Sequence, residues 1–168
     1  MTTRRLVLIR HAKAAAGAPD HDRPLAARGI VDAVAIGAWL VAADVAPDYV
    51  VVSTALRAQQ TWEGAAGVLE SRPVVVADER IYGNTADDLL ASIHDAPADA
   101  GTVVLVGHNP SMAELASALD DGAGDTAART ALARSYPTSG VACFDVAAEW
   151  AELRPGAGTL TRFAAPRG

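Results

Sequence analysis

Two arginines and one imidazole pair carry the chemistry that this sequence offers. Arg10-His11 directly follows the apolar run Leu6-Val7-Leu8-Ile9, and His108-Asn109 follows Thr102 to Val106 through Gly107. Arg57 stands four residues past Ser53, which itself closes the run Tyr49 to Val52. Such a set suits a phosphoryl group. An arginine fork matches phosphate oxygens two at a time, and a pair of arginines balances a dianion. A neutral imidazole has a lone pair able to attack phosphorus in line, giving a phosphohistidine that water then hydrolyses. A second imidazole can donate a hydrogen bond to the equatorial oxygens as charge shifts in the transition state. Taken singly, each group has an ordinary explanation: Arg57 could pair on the surface with Glu63 or Asp residues, and His108 could sit in a capped turn. Their joint occurrence at three separate strand ends is what points to one site.

For these side chains to meet, three strands must run parallel and end on one edge. Short β-branched runs alternate with alanine-rich helical segments, which predicts an α/β fold with a largely parallel sheet. In such a sheet, ligands bind outside the carboxyl ends of the strands. Strands are expected at 6–9, 49–52, 74–76 and 102–106, with a closing pair at 141–146 and 158–163 that includes an antiparallel edge. Helices are expected at about 26–43, with Ile30, Val34, Trp39 and Leu40 at helical spacing, and at about 54–69, capped by Ser53. Thr85 can cap a short helix through His94, and Pro110 suits the first turn of another. Residues 78–84 are expected to be irregular, and 121–139 loop-rich and partly helical. The helix start at Thr54 to Arg57 would add backbone donors and partial positive charge to the site.

Composition bounds the rest. The 168 residues fit one domain, 1–168, with 51% apolar but only 5% aromatic residues, so the core is expected to be Ala, Val, Leu and Ile. A net charge of −6 argues against general binding of nucleic acid or an anionic membrane, though not against an anionic substrate in a local pocket. One cysteine, Cys143, excludes an internal disulfide framework and a cysteine zinc cluster. The apolar run before Arg10 is too short for a signal peptide, and 30–52 is interrupted by Asp32, Asp44, Pro47 and Asp48. A cytoplasmic location is therefore expected. No His-x-x-x-His or Asp-rich loop suggests a metal, and no phosphate-loop or dinucleotide motif appears, so no cofactor is expected.

With those residues in place, Leu8-Ile9-Arg10-His11-Ala12 resembles the Arg-His-Gly signature of the histidine phosphatase superfamily. Ser53 to Thr61 is similar to that family's S-x-x-x-R-x-x-x-T segment, and Val106-Gly107-His108-Asn109 to its second-histidine segment. Asp22-Arg23-Pro24-Leu25 with Arg28-Gly29 resembles the short SixA-type branch, which is associated with dephosphorylating phosphohistidine on proteins. The resemblance spans residues 5 to about 115. It implies a phosphoglycerate mutase-like three-layer sandwich, with helices on both faces of the sheet. It also implies His11 as nucleophile, with Arg10, Arg57 and His108 completing a phosphate pocket able to hold a phosphate or sulfate ion. Ala12 departs from the usual glycine, which matters only if φ is positive there.

The proton donor and the rim are read from position alone. Glu79 lies in the interval where larger members of the superfamily carry an acid. It could serve as the donor or be a loop carboxylate paired with Arg80, and Asp78 is a weaker candidate. Arg23 and Lys13 could rim the pocket and contact substrate, while His21 and His94 are expected to face solvent. The substrate is expected to be a phosphohistidine protein or a small phosphoester. A mutase-like enzyme and a phosphate-binding module without catalysis are the alternatives, the latter disfavoured because recognition alone needs no nucleophile.

Overall fold

The computed structural model describes residues 3–17 and 19–168. Six strands form one mixed sheet: β1 (Arg4–Arg10), β2 (Tyr49–Ser53), β3 (Val74–Asp78), β4 (Thr102–Gly107), β5 (Val141–Val146) and β6 (Gly158–Ala164), in the order β3-β2-β4-β1-β5-β6. The first four are mutually parallel, and β5 and β6 close the sheet antiparallel, as their late position suggested. Five helices connect them: α1 (Ala27–Ala42), α2 (Leu56–Ala66), α3 (Ala86–His94), α4 (Ser111–Leu119) and α5 (Thr126–Arg134).

Alternation along the strands sends side chains to two cores. Leu6, Leu8, Val103 and Leu105 face Leu89, Met112 and Leu115 of α3 and α4. Val7, Ile9, Val104 and Val106 face Ile36, Leu40, Trp62 and Ala65 of α1 and α2. This period of two is the property of an extended chain. Both faces of the central strands are covered, which is why β1 and β4 are uninterrupted runs of Val, Leu and Ile.

The buried stripe of α1 differs from the expected one. Ile30 and Val34 are exposed, and the helix instead buries Gly29, Ala33, Ile36, Gly37 and Leu40. Small residues mark the contact because α1 and α2 approach closely. A Cβ at Gly37 would lie 2.2 Å from the Ala65 carbonyl oxygen, and one at Gly29 would lie 2.1 Å from that of Lys13. The second contact pins the loop after His11 onto the start of α1. Helix α2 also starts later than expected. Ala55 is its N-cap, and Ser53 Oγ accepts from the Ala55 N–H at 3.2 Å without capping the helix. Thr85 caps α3 as expected, in a reciprocal capping box with Asp88. Pro110 precedes α4 as its N-cap, joined to Asn109 by a cis peptide bond.

Candidate active site

Strand register brings the three motif ends together. Arg10 pairs with Gly107 across β1 and β4, and Val52 pairs with Val106 across β2 and β4, so Ser53, His108 and His11 leave three adjacent strands at one edge. The His11 N–H donates to the Gly107 carbonyl at 2.9 Å, extending the ladder by one residue. The rings of His11 and His108 lie 5.1 Å apart, both side chains almost fully buried.

The hydrogen bond of His11 defines its chemistry. Its Nδ1 lies 2.7 Å from the Ala12 carbonyl oxygen, which can only accept, so Nδ1 carries the proton and Nε2 presents a lone pair. Burial pushes the His11 pKa down to about 4, and the nearby cations of Arg57 and Arg10 push the same way. The ring is therefore neutral at physiological pH. His108 is held down to about 3, again chiefly by burial, with His11 and Arg57 adding to it. Ala12 has no positive φ, so the alanine sits without strain where glycine is usual. Its N–H donates to Thr61 Oγ1 at 3.0 Å, and that hydroxyl donates to the Arg57 carbonyl at 2.7 Å. The spacing S-x-x-x-R-x-x-x-T thereby acquires a geometry: Ser53 touches His108, Arg57 enters the site, and Thr61 ties α2 to the loop after β1.

Arg57 is buried, and Asp20 engages two of its five guanidinium N–H donors. Nη1 donates to the Asp20 carbonyl at 2.6 Å and Nη2 to the Asp20 carboxylate at 3.1 Å. Of the acidic partners expected for it, an aspartate, Asp20, makes the contact and Glu63 does not, and the arginine is buried rather than on the surface. Arg10 donates from Nη1 to the Tyr136 carbonyl at 3.0 Å. Four buried side-chain atoms around this edge lack a partner among the described residues: Arg10 Nε, His108 Nδ1, Asn109 Oδ1 beside His108, and the Oγ of Ser139, whose N–H donates to the His11 carbonyl. Buried polar groups without partners are rare and costly, and the Arg10 Nε–H, which can only donate, points to a ligand that accepts hydrogen bonds.

The family model described as histidine phosphatase superfamily (branch 1) matches residues 6–86. An uncharacterized protein of Mycobacterium tuberculosis is 40% identical over 162 residues, covering 95% of this chain and 100% of the relative. The SixA protein of Nakamurella multipartitia, a candidate phosphohistidine phosphatase, superposes with a TM-score of 0.88 at 34% identity, over 99% of this chain and 98% of its own. The chain belongs to the histidine phosphatase superfamily. Within it the likeness is to the SixA-type branch. The SixA protein of Agrobacterium tumefaciens gives a TM-score of 0.79 at 31% identity, with 97% of this chain and 99% of that one covered. The phosphoglycerate mutase-like sandwich expected from the motifs is thus the observed fold.

This histidine phosphatase fold also builds a rim of which sequence reasoning singled out only Arg23. Asp20 opens a 3-10 turn (Asp20–Asp22) in the loop after β1, and its carboxylate accepts from Arg57, from Tyr82 Oη at 2.7 Å and from Arg23 Nη1 at 3.0 Å. Those donors hold the Asp20 carboxyl far below the usual carboxylate range, Tyr82 contributing most. His21 was expected to face solvent. It is only half-exposed: its Nε2 lies 2.9 Å from Thr54 Oγ1, and its ring meets the Tyr82 ring edge-on at 4.8 Å. His94 is likewise not free, since its Nε2 donates to the Leu153 carbonyl at 2.7 Å. Tyr136 is a further omission. Its hydroxyl donates to the Leu8 carbonyl at 2.6 Å, while its own carbonyl accepts from Arg10 and Asn109. No motif flags Tyr136, whereas Asp20 lies two residues ahead of the quoted Asp22-Arg23-Pro24-Leu25 segment.

Glu79 stands apart from this cluster. It opens a 3-10 turn (Glu79–Ile81) after β3, is exposed, and its carboxylate has no hydrogen-bond partner among the described residues. Arg80 pairs with Asp78 and Asp95. Asp78 is thereby held down to about 2, mainly by Arg80. Lys13 is exposed, and Arg23 reaches the rim through Asp20. Among the described residues no three His, Cys, Asp or Glu side chains converge as a metal site would require. No helix of the described residues is long and apolar enough to cross a membrane.

Proposed function

We propose that this chain is a metal-independent phosphatase that uses His11 as its nucleophile and acts on phosphohistidine in proteins. The observation that carries the reading is the fixed tautomer of His11. A ring whose Nδ1–H is anchored on the Ala12 carbonyl offers Nε2, unprotonated, to an incoming phosphorus. In the first step the Nε2–P bond forms and the bond from phosphorus to the leaving nitrogen breaks. Arg10, Arg57 and His108 balance the charge on the phosphoryl oxygens. In the second step water attacks phosphorus, the Nε2–P bond breaks, and inorganic phosphate leaves with His11 restored.

The leaving group favours phosphohistidine over a sugar phosphate. An imidazole, with a conjugate-acid pKa of about 6.5, departs with its electron pair far more readily than an alkoxide, provided its other nitrogen carries a proton. A strong general acid is then unnecessary, consistent with an Asp20 carboxyl that is ionised and a Glu79 that is exposed. Glu79 enters this scheme as proton donor only for alkyl phosphates. The likeness to SixA proteins supports the same substrate class. A cytoplasmic location completes the proposal, in keeping with a single, buried cysteine.

The test is hydrolysis of an aryl phosphate by the wild-type protein and by His11→Ala, each with and without chelator. Chelator-insensitive turnover that vanishes in the variant is expected, together with an acid-labile phosphoryl group trapped on His11. Turnover that survives the loss of His11 would end the covalent mechanism.

A further inference from the structure

Ser53 closes β2 completely buried, in contact with the second histidine and not with the helix it was expected to cap. His108 Nε2 lies 2.7 Å from Ser53 Oγ. The same oxygen accepts the Ala55 N–H at 3.2 Å. A serine hydroxyl has one hydrogen to give, and for Ser53 no other acceptor is within reach among the described residues. If Nε2 carried the ring proton, Ser53 would accept twice and its own O–H would be buried without a partner, a cost that native structures avoid. All three groups are satisfied only when Ser53 donates to a bare Nε2. The ring proton must then sit on Nδ1, the buried atom that lacks a partner in the protein.

We propose that Ser53 is a positioning residue that sets the tautomer of His108, so that Nδ1–H is the donor offered to the phosphoryl oxygens. The inference rests on the phosphatase reading above, and it specifies how the second histidine can help at all. In the opposite tautomer Nδ1 would present a lone pair to an anion and repel it. The two histidines are thereby given complementary roles by their hydrogen bonds. The Ala12 carbonyl draws the His11 proton to Nδ1 and frees Nε2 to attack, while Ser53 leaves the His108 proton on Nδ1 as a donor.

Nitrogen-15 NMR of the resting wild-type protein reads this directly. His108 is expected to show a protonated Nδ1 and an unprotonated Nε2 near neutral pH, and the reverse pattern overturns the proposal. Ser53→Ala is expected to lose that single-tautomer signature and to lower kcat on an aryl phosphate about ten-fold or more, with Ser53→Thr recovering most of both. A Ser53→Ala protein that keeps the signature and the wild-type kcat also overturns it. Should that variant fail to fold, the wild-type tautomer and Ser53→Thr decide. Because the NMR reading is made on the resting protein, it stands or falls separately from the His11→Ala result.

Discussion

The floor and the rim of the site are built by different means. On the floor, Arg10, His11 and His108 are continuations of β1 and β4, held by main-chain bonds such as His11 N–H to Gly107 and Arg10 N–H to Gly140 at 3.0 Å. On the rim, Asp20 and Arg23 share the loop after β1, while Tyr82 comes from the loop after β3 and reaches Asp20 only through its side chain. His11 and His108 are almost dry and Arg10 is partly buried, whereas the Asp20 side chain is 54% exposed. Charges in a dry, fixed setting act strongly on a reacting phosphoryl group. Exposed pairs are screened and typically contribute about 0–1 kcal/mol. The difference separates groups that act on phosphorus from groups that shape the approach to it.

The largest effect short of losing the nucleophile is expected at Arg57, the one residue shared by both regions. Arg57→Ala removes a buried cation from the floor and the anchor of Asp20 from the rim. Loss of one such preorganised donor typically costs on the order of 10²–10³ in kcat. Steady-state kinetics on an aryl phosphate check this, and a loss below ten-fold would place Arg57 with the rim.

Next in size is the response to acid. Both histidines have folded pKa values, about 4 and about 3, below the ordinary 6.5. The unfolded chain therefore takes up protons first as pH falls, and folding stability is complete above about pH 6.5. It is then lost progressively down to about pH 3. Chemical denaturation between pH 7 and 4 is expected to show this loss, reduced in a His11→Asn, His108→Asn double variant. NMR titration is expected to find both rings neutral at pH 5. A midpoint near 6.5 for either ring would mean that the floor is wetter than its burial implies.

The same contrast explains what was legible in the sequence. The floor could be read because parallel strands and their C-terminal ends follow from local apolar runs, and Arg10, His11 and His108 sit one or two residues beyond such runs. The rim beyond Arg23 could not, because a contact such as Tyr82 to Asp20 spans 62 residues and leaves no periodic trace. The face of α1 was misjudged for a related reason. Close helix contact selects Gly29, Ala33 and Gly37, whereas hydrophobic periodicity favours the larger Ile30 and Val34, which turned out exposed. Ser53 was assigned to a helix start because serine commonly caps helices, but the strand register sets it against His108.

A smaller effect is expected from Asp20→Asn, which weakens the rim while leaving the floor intact. The amide retains one acceptor for Arg57 and Tyr82, so kcat/KM should change by no more than about five-fold, and stability by about 0–1 kcal/mol. A loss as large as that of Arg57→Ala would show that Asp20 holds the arginine in its working position, and the boundary between the regions would have to move.

The smallest effect is expected from Glu79→Gln on phosphohistidine. Glu79 is exposed and bonded to nothing in the cluster, and a departing imidazole that keeps its own proton asks nothing of it. Turnover of a phosphohistidine peptide is therefore expected to stay within about two-fold of wild type, since the term that general acids supply, typically 10²–10⁴-fold, is absent for this leaving group. An alkyl phosphate measured alongside gives the comparison its edge. If its hydrolysis falls in Glu79→Gln while phosphohistidine turnover does not, the loop after β3 supplies a proton when chemistry demands one. If neither changes, Glu79 lies outside the machinery, and the floor alone carries the reaction. A fall in phosphohistidine turnover itself would contradict the leaving-group argument and with it the preference for this substrate.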